Sequence, residues 1–175
     1  MFRLDTERLT IRTWAPGDRA AFHSIMSDPA VTHFVHGGLP YTDEETNGFL
    51  DRQARQLAEN GFCMGPVIEK TTNLLVGIAG TQPLGTTGEL EIGWIFARDV
   101  WGRGYATEAG AAAMRYVLDV LQRDRVLAII DPDNAASKRV AARLGMTYER
   151  RVTGVELGHR LPEIEVDLFT RTRES

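Results

Sequence analysis

The feature that most constrains this 175-residue chain is a glycine-containing junction between a predicted strand and a predicted helix. Residues 90–96 are predicted as a strand, and a helix with apolar residues at helical spacing begins at Gly104. Gly102 and Arg103 lie between them. Glycine allows a ligand to approach the backbone closely, and the first N–H groups of a helix have no partner within it. The junction is therefore typical of a site that binds a phosphate or a diphosphate.

Two other kinds of phosphate loop are excluded by the neighbouring residues. A Walker loop needs Gly-Lys-Ser/Thr directly before the helix, and this chain lacks it. A dinucleotide-binding loop needs Gly or Ala at position 107, which is Thr107, and follows the first strand of a parallel sheet. Here residues 62–96, which precede the loop, are predicted as an antiparallel meander. A loop for the diphosphate of coenzyme A is the interpretation that is left.

The order of predicted elements favours an α+β fold with a mixed sheet. Strands are predicted over residues 8–14, 62–69, 74–81, 90–96, 125–130, 146–152 and 164–170. Helices are predicted over residues 16–28, 42–61, 104–121 and 134–144, the second of them with a capping box at Thr42 and Glu45. Because no linker or repeat interrupts this order, we expect residues 1–175 to form a single domain.

Composition excludes several classes of protein. Hydrophobic residues make up 43% and charged residues 25%, the balance of an ordinary globular protein. The net charge of -4 argues against a nucleic-acid partner, which usually leaves a basic footprint. The N-terminus has no apolar signal region, and no run of ~18 apolar residues is present. With a single cysteine, Cys63, these features predict a cytoplasmic protein with no membrane association.

Three motifs together resemble the GNAT acetyltransferase superfamily. They are ELEIGW, WGRGYATEA and DPDNAASKRVAARLGM, at residues 89–94, 101–109 and 131–146. The opening LDTERLTIRTWAPGD is similar to the branch that includes RimJ and RimL, which acetylate protein N-termini. The resemblance covers essentially the whole chain. It implies a twisted, mostly antiparallel, seven-stranded sheet that splays between the fourth strand, 90–96, and the fifth, 125–130, flanked by about four helices.

The resemblance also implies acetyl-CoA as cosubstrate. Its pantetheine arm is expected along the backbone of Ile95, Phe96 and Ala97, where splayed amides after Trp94 also face the oxyanion of the reaction. The diphosphate is expected on the residues of the loop, namely Gly102, Arg103, Gly104, Tyr105, Ala106 and Thr107. One position departs from the family pattern: Asp99 stands where Gln or Arg is common, and we expect it to point to solvent or to pair with an arginine.

The helix after Asp-Pro-Asp offers a second group of coenzyme contacts. From the residues alone Asn134 is an N-cap and Ser137 a solvated helix residue. The resemblance implies instead that Asn134 contacts pantetheine, that Ser137 faces the coenzyme sulfur, and that Lys138 meets the 3′-phosphate. Many relatives use a tyrosine seven residues after the asparagine as the acid, but here that position is Ala141. Ser137 is the substitute that could hydrogen-bond to the leaving thiolate.

An amine attacks a thioester only when it is neutral, so a base must take its proton. Glu91, on the strand that leads to the loop, is the first candidate, although a surface carboxylate is an equally good interpretation. Glu156 is the rival, because a Glu in a similar place acts as the base in RimL-like enzymes. A chain of water molecules without a dedicated base is the third alternative.

The segment between the first two helices is where the family usually builds its acceptor pocket. The substrate-binding candidates are Trp14, His33, Phe34, His36 and Tyr41. His33 and His36 have no evident third ligand nearby, so we expect no metal.

The leading functional hypothesis is an N-acetyltransferase that acts on a protein N-terminus or another primary amine by direct attack in a ternary complex. The alternative from another class is a non-catalytic module that binds or senses acyl-CoA. A nucleotide-binding α/β protein is disfavoured by the loop. A homodimer is compatible with the resemblance.

Overall fold

The computed structural model describes residues 2–173, except for the side chain of His36. Its strands are β1 (Arg3–Asp5), β2 (Leu9–Arg12), β3 (Met64–Glu69), β4 (Leu75–Pro83), β5 (Leu90–Phe96), β6 (Arg125–Ile130), β7 (Thr147–Thr153) and β8 (Glu165–Thr172). Its α-helices are α1 (Arg19–Met26), α2 (Pro29–Thr32), α3 (Asp43–Asn60), α4 (Tyr105–Arg115), α5 (Ala135–Arg143) and α6 (Gly154–Leu157). A π-helical turn, Tyr116–Val120, extends α4.

The eight strands form one open sheet in the order β1-β2-β3-β4-β5-β6-β8-β7. Neighbouring strands are antiparallel except β5 and β6, which are parallel. This arrangement confirms the predicted mixed, mostly antiparallel fold. The strand β1 and the helices α2 and α6 were not predicted. Each has only three or four residues, too few to show a hydrophobic period.

The sheet splays between β5 and β6, as expected. In the described part of the chain their register consists of one position, Glu91 opposite Leu127. By contrast, β4 and β5 pair over seven positions, from Leu90 opposite Pro83 to Phe96 opposite Gly77. A gap therefore opens beside the carboxyl-terminal half of β5.

The two faces of β5 belong to different parts of the core. Ile92 and Phe96 pack in one hydrophobic cluster with Ala109 and Val117, on the face that α4 covers. Ile95 packs against a second cluster on the opposite face, which holds Phe22 and other residues of α1 and α3. Because side chains alternate along a strand, Glu91 lies on the same face as Ile95.

Local sequence signals explain where the longest helix begins and ends. Thr42 accepts a hydrogen bond from the Glu45 N–H, and the Glu45 carboxylate accepts one from the Thr42 N–H, so the predicted capping box is confirmed. Gly61 ends α3 with φ of 78°, a left-handed conformation that suits glycine. Within residues 2–173, no helix combines the length and apolar character needed to cross a bilayer.

Candidate active site

The backbone of β5 presents hydrogen-bonding groups to the gap. The Ala97 N–H donates to the Val76 carbonyl at 2.9 Å, so alternate residues of β5, starting from Ala97, bond to β4. The N–H groups of Trp94 and Phe96 consequently point the other way, towards β6, where the strand pairing has stopped. The Phe96 carbonyl accepts a hydrogen bond from Trp101 Nε1 at 2.8 Å.

This register refines the predicted pantetheine contacts. The Phe96 N–H faces the gap. The amide of Ala97 is already paired with β4, and the same alternation directs the Ile95 backbone to Ile78. Besides Phe96, Trp94 is the residue whose amide faces the gap. The prediction missed this shift because hydrogen-bonding parity depends on the register between strands.

The glycine loop ends in an open helix N-terminus. Gly102 and Gly104 have φ of 77° and 80°, a conformation that other residues rarely adopt. Gly104 occupies the N-cap position without a side-chain cap. The Glu108 N–H bonds to the Gly104 carbonyl at 3.1 Å, so the N–H groups of Tyr105 to Thr107 precede the first intrahelical bond. Together with the N–H of Gly104, they make four amides. These amides and the positive end of the helix dipole are available at the start of α4.

The hydroxyl of Thr107 adds a further group at this point. Its Oγ1 atom is buried and has no hydrogen-bond partner in the described structure. A buried hydroxyl without a partner is unfavourable, so such a group commonly marks a place for a bound water or ligand. The donor set at the loop fits a diphosphate.

Residues near the N-terminus of the chain support the glycine loop through hydrogen bonds. Arg8 donates from Nη1 to the Arg103 carbonyl at 2.9 Å and from Nε to the Glu108 carboxylate at 2.7 Å. Its guanidinium lies 4.7 Å from the centroid of the Tyr105 ring. The Thr6 hydroxyl also donates to Glu108, at 2.6 Å. Sequence reasoning missed this support because the partners lie about a hundred positions apart, where no local pattern connects them.

Arg103 and Asp99 both lie at the surface of the loop. Arg103 is 3.6 Å from the Glu69 carboxylate and donates to the Asp99 backbone carbonyl at 3.4 Å. Hydrogen bonds from Thr72 and Tyr105 hold the pKa of Glu69 below its usual range. Asp99 is exposed, one of the two positions expected for it.

Asn134 and Ser137 lie together at the start of α5. Asn134 Oδ1 accepts a hydrogen bond from the Ser137 N–H at 3.0 Å, so Asn134 is the N-cap of the helix. The Ser137 hydroxyl accepts a hydrogen bond from Trp94 Nε1 at 3.4 Å. The structure therefore brings the Ser137 hydroxyl against the Trp94 side chain of β5.

Lys138, which was predicted to meet the 3′-phosphate, is ion-paired with Asp167 of β8 in the structure. Its ammonium donates to the Asp167 carboxylate at 2.6 Å and to the Pro132 carbonyl at 2.7 Å. Arg151 completes the group with a bond to Asp167 at 2.8 Å. Asp167 is only 3% exposed, so these cations compensate a buried charge. These contacts hold Lys138 against β8.

Glu91, the first candidate for the base, is buried beside Gln82 of β4. It is 6% exposed and accepts a hydrogen bond from Gln82 Nε2 at 2.7 Å. Burial raises the pKa of the Glu91 carboxyl to about 7, against the opposing effects of Gln82 and Arg160. A carboxyl near this pKa exchanges a proton readily at neutral pH.

Glu156, the rival candidate for the base, is a capping residue in the structure. Its carboxylate accepts hydrogen bonds from the Thr153 N–H and Arg150, both at 2.9 Å, and completes the capping box of α6. The Thr153 N–H, followed by Arg150, lowers the pKa of Glu156. An exposed, ion-paired carboxylate is a poor proton acceptor at neutral pH.

The predicted acceptor residues divide into core and surface. Trp14 donates from Nε1 to the Met64 carbonyl at 2.8 Å, and its ring packs 5.0 Å from that of Phe22. Tyr41 is buried in the same aromatic cluster. His33 is exposed, with its ring 4.5 Å from Phe34. The side chain of His36 lies outside the described residues, and among those described no three His, Cys, Asp or Glu side chains gather as a metal would require.

This fold and this site define a GNAT acetyltransferase, and the chain belongs to that family. Residues 8–147 match the family described as "Acetyltransferase (GNAT) domain". The N-acetyltransferase YnaD of Bacillus subtilis (strain 168), itself described as uncharacterized, is 30% identical over 146 residues, 83% of each chain.

Solved structures agree with this assignment. A GNAT-family acetyltransferase from Bacillus anthracis is 28% identical, with a TM-score of 0.80 over 99% of this chain and 100% of that one. The fold is also shared with RimL, the ribosomal L7/L12 alpha-N-protein acetyltransferase solved with coenzyme A, at 19% identity and a TM-score of 0.76 over 98% of both chains.

Proposed function

We propose that this protein is an acetyl-CoA–dependent N-acetyltransferase whose acceptor is a primary amine attacking directly in a ternary complex. The observation that carries the proposal is the gap beside β5. There the Trp94 and Phe96 amides face an interrupted strand pairing, near the helix that begins at Gly104. A ligand with an amide-containing arm and a diphosphate matches both features.

In this proposal, different groups of the protein bind different parts of the coenzyme. The amides from Gly104 to Thr107 and the Thr107 hydroxyl bind the diphosphate. The backbone of β5 pairs with the pantetheine arm, and Ser137 lies where the sulfur would arrive. Arg103 remains available at the surface as a further cation for the diphosphate.

The chemistry requires two proton steps. Glu91 takes the proton of the ammonium, directly or through water, and the neutral amine forms a bond to the acetyl carbon. The carbon–sulfur bond then breaks, the thiolate leaves with the bonding pair, and the proton that the nitrogen loses as the amide forms passes through water to the thiolate or to solvent. The Ser137 hydroxyl donates a hydrogen bond to the thiolate, which is useful because a thiol of pKa ~8.5 needs little help to leave. The β5 amides at the gap stabilise the oxyanion between these steps.

The acceptor class follows from the resemblance of residues 4–18 to the RimJ/RimL branch. A protein N-terminus is therefore one proposed acceptor, and a small primary amine is the other. We further propose that residues 1–175 act as a single cytoplasmic domain and that two copies associate as a homodimer.

A thiol-release assay tests the proposal. Acetyl-CoA is offered with a panel of N-terminal peptides, polyamines, amino acids and aminoglycosides, and free coenzyme A is measured. We expect amine-dependent release, reduced about fivefold in kcat by Ser137→Ala because one hydrogen bond to the thiolate is lost. Tight acetyl-CoA binding with no release for any amine would instead favour a sensing module.

A further inference from the structure

Trp94 of β5 connects the gap to the start of α5 through its side chain. Its Nε1 atom donates a hydrogen bond to the Ser137 hydroxyl at 3.4 Å, across 43 positions of the chain. Its backbone N–H faces the gap, because the amides of β5 alternate between β4 and β6. One residue therefore supplies a backbone donor to the gap and a side-chain donor to the hydroxyl assigned to the leaving thiolate.

The topology of the sheet places this hydroxyl beside the gap. The strands β5 and β6 are parallel, so their carboxyl-terminal ends lie at the same edge of the sheet, beyond the single register position at Glu91 and Leu127. The strand β6 ends at Ile130, and α5 begins at Ala135. The first turn of α5, which carries Ser137, therefore lies where the two strands have separated.

Contacts on both sides of Ser137 fix the start of α5. Asn134 Oδ1 accepts a hydrogen bond from the Ser137 N–H at 3.0 Å. The ammonium of the next residue, Lys138, donates to the Asp167 carboxylate of β8 at 2.6 Å and to the Pro132 carbonyl at 2.7 Å. The Ser137 hydroxyl is thus presented from a helix whose first turn is anchored to the sheet.

The indole of Trp94 is also held in one place. It is half-buried and packs against the hydrophobic cluster beneath α4. A methyl group added at Gly110 of α4 would lie 3.3 Å from Trp94 Cε3 and 2.9 Å from Leu144 Cδ1. Gly110 has no positive φ, so its backbone conformation does not require glycine. The glycine instead lets the indole approach α4 closely, which limits rotation of the ring away from Ser137.

The chemistry of the two groups sets the direction of the hydrogen bond. An indole N–H donates and cannot accept, whereas a hydroxyl does both. The Ser137 oxygen is therefore the acceptor, and its own hydrogen is left for another partner. Within residues 2–173, Ser137 Oγ has no hydrogen-bond partner besides Trp94. A hydroxyl that already accepts a hydrogen bond is polarised and becomes a stronger donor.

This contact has the properties of one that strengthens during a reaction. Its length of 3.4 Å is at the long end for a hydrogen bond, and such bonds in catalytic sites commonly shorten when the reacting complex forms. If the hydroxyl donates to a developing thiolate, its oxygen becomes more negative and attracts the indole N–H more strongly. An interaction of this kind raises kcat more than it lowers KM.

We propose that Trp94 is a positioning residue for the departure of the thiolate, whose indole N–H occupies the Ser137 oxygen and directs the hydroxyl hydrogen to the coenzyme sulfur. This inference rests on the proposed acetyltransferase function and adds a residue to its chemistry. The carbon–sulfur bond breaks, the sulfur keeps the bonding pair, and Ser137 keeps its proton while it donates a hydrogen bond. The Trp94 side chain acts only through Ser137.

A double-mutant cycle tests the inference in the acetyltransferase reaction. Trp94→Phe keeps an aromatic ring and removes the N–H, so kcat should fall about threefold while KM for acetyl-CoA stays within about twofold. In the Ser137→Ala background the same substitution should change kcat by less than about 1.5-fold, because no hydroxyl is left to orient. An equal loss of kcat in both backgrounds would give Trp94 a packing role and overturn the inference.

Trp101→Phe is the matched control. The Trp101 Nε1 atom donates to the Phe96 carbonyl at 2.8 Å, so this variant also loses an indole N–H near β5 but leaves Ser137 untouched. Its effect on kcat should be the same with and without the Ser137 hydroxyl, since the two residues share no partner. The same non-additivity for both tryptophans would show a general response of the gap and reject a specific role of Trp94.

Titration of bound coenzyme A tests the contact without any acceptor amine. The ultraviolet absorbance of the thiolate is followed against pH, with the protein saturated with desulfo-coenzyme A as the reference. Burial raises the pKa of Cys63 to about 11, so the thiol of the protein ionises well above that of the coenzyme. The acid dissociation constant of the bound thiol should fall about fivefold in Ser137→Ala and about threefold in Trp94→Phe, because the thiolate loses a stabilising donor or its orientation.

The indole resonance tests the hydrogen bond even if Trp94→Phe does not fold. In the proton NMR spectrum of the protein with coenzyme A, the indole N–H of Trp94 is identified by elimination, from the resonances that Trp14→Phe and Trp101→Phe remove. Ser137→Ala should shift the Trp94 resonance upfield and leave the other two unchanged, since their partners are backbone carbonyls. A Trp94 resonance that stays in place would show that the bond is absent and would overturn the inference.

The inference and the proposed function fail separately. If no amine releases coenzyme A, the acetyltransferase function fails, and the thiol titration still decides whether Trp94 and Ser137 act on the sulfur. Amine-dependent release, together with equal dissociation constants of the bound thiol in the natural protein and in Trp94→Phe, would reject the inference and leave the function standing.

Discussion

The proposed coenzyme side of this molecule, around β5 and Gly104, and its proposed acceptor side, around Glu91, differ in the groups that form them. The coenzyme side uses backbone groups of one continuous stretch, from β5 through Gly104 to Thr107, held by Arg8. The proposed acceptor side uses side chains from separate strands, namely Glu91 of β5 and Gln82 of β4, which donates a hydrogen bond to it. The first should therefore be sensitive to backbone conformation, and the second to charge and pH.

The largest expected effect is on the acceptor side. Glu91→Gln keeps the shape and the hydrogen bond from Gln82 but removes the base, so kcat/KM should fall about a hundredfold. Because the base acts when deprotonated, the rate of the natural protein should rise with pH through about 7 and then level off. The profile is measured for the natural protein and for Glu91→Gln with the same acceptor, so that the titration of the amine, which is common to both proteins, is separated from that of Glu91.

In the Glu91→Gln variant this rise should disappear, while the dissociation constant of acetyl-CoA stays within about twofold of the original. A pH profile identical to that of the natural protein would remove Glu91 from the reaction. A large loss of coenzyme affinity would show that the two sides are not separate.

A smaller effect is expected on the coenzyme side from Gly104→Ala. The added methyl group has room, since its nearest neighbour would be Arg8 Nη2 at 3.6 Å, but φ of 80° is strained for alanine. The strain of about 1 kcal/mol should shift the loop and raise KM for acetyl-CoA about fivefold. Gly17→Ala is the control, because Gly17 has open space and no positive φ.

The pH dependence of the Gly104→Ala variant gives a second test of the difference between the two sides. A backbone change at the loop should leave the titration near pH 7 where it was, because the loop lies on the other side of the site from Glu91. Unchanged KM in Gly104→Ala would show that the loop tolerates a different backbone, against the role assigned to its amides.

The smallest effect is expected from Glu156→Gln. Glutamine also fits a capping box, and the ion pair with Arg150 is exposed, so kcat/KM should remain within about twofold of the original. Steady-state kinetics beside Glu91→Gln gives the direct contrast between two glutamates. A loss as great as that of Glu91→Gln would restore Glu156 as a proton acceptor.

The sequence predicted best what depends on neighbouring residues. The glycines before α4 and the capping box of α3 are local patterns, and the structure has both. Thr153 and Glu156 form the same Thr-x-x-Glu pattern, so the capping role of Glu156 was available in the sequence. The resemblance to a family assigned it a catalytic role instead, and that role stays a prediction.

Contacts between distant residues were not predictable in this way. The ion pair of Arg8 with Glu108 depends on how the sheet brings separate segments together. Lys138 could be placed on a helix, but its partner Asp167 lies 29 positions further along the chain. A periodic pattern indicates which face of an element is buried. It does not indicate which charged residue from a distant segment packs against that face.

The single register position between β5 and β6 has a consequence for the lifetime of the protein. Under the proposed function, acetyl-CoA occupies the interrupted edge of the folded sheet and has no such edge to bind in the unfolded chain. Mass action then stabilises the folded state by about 2.7 kcal/mol when the ligand is a hundredfold above its dissociation constant. The supply of acetyl-CoA in the cell would thus govern how often this chain opens to proteases, as well as how fast it works.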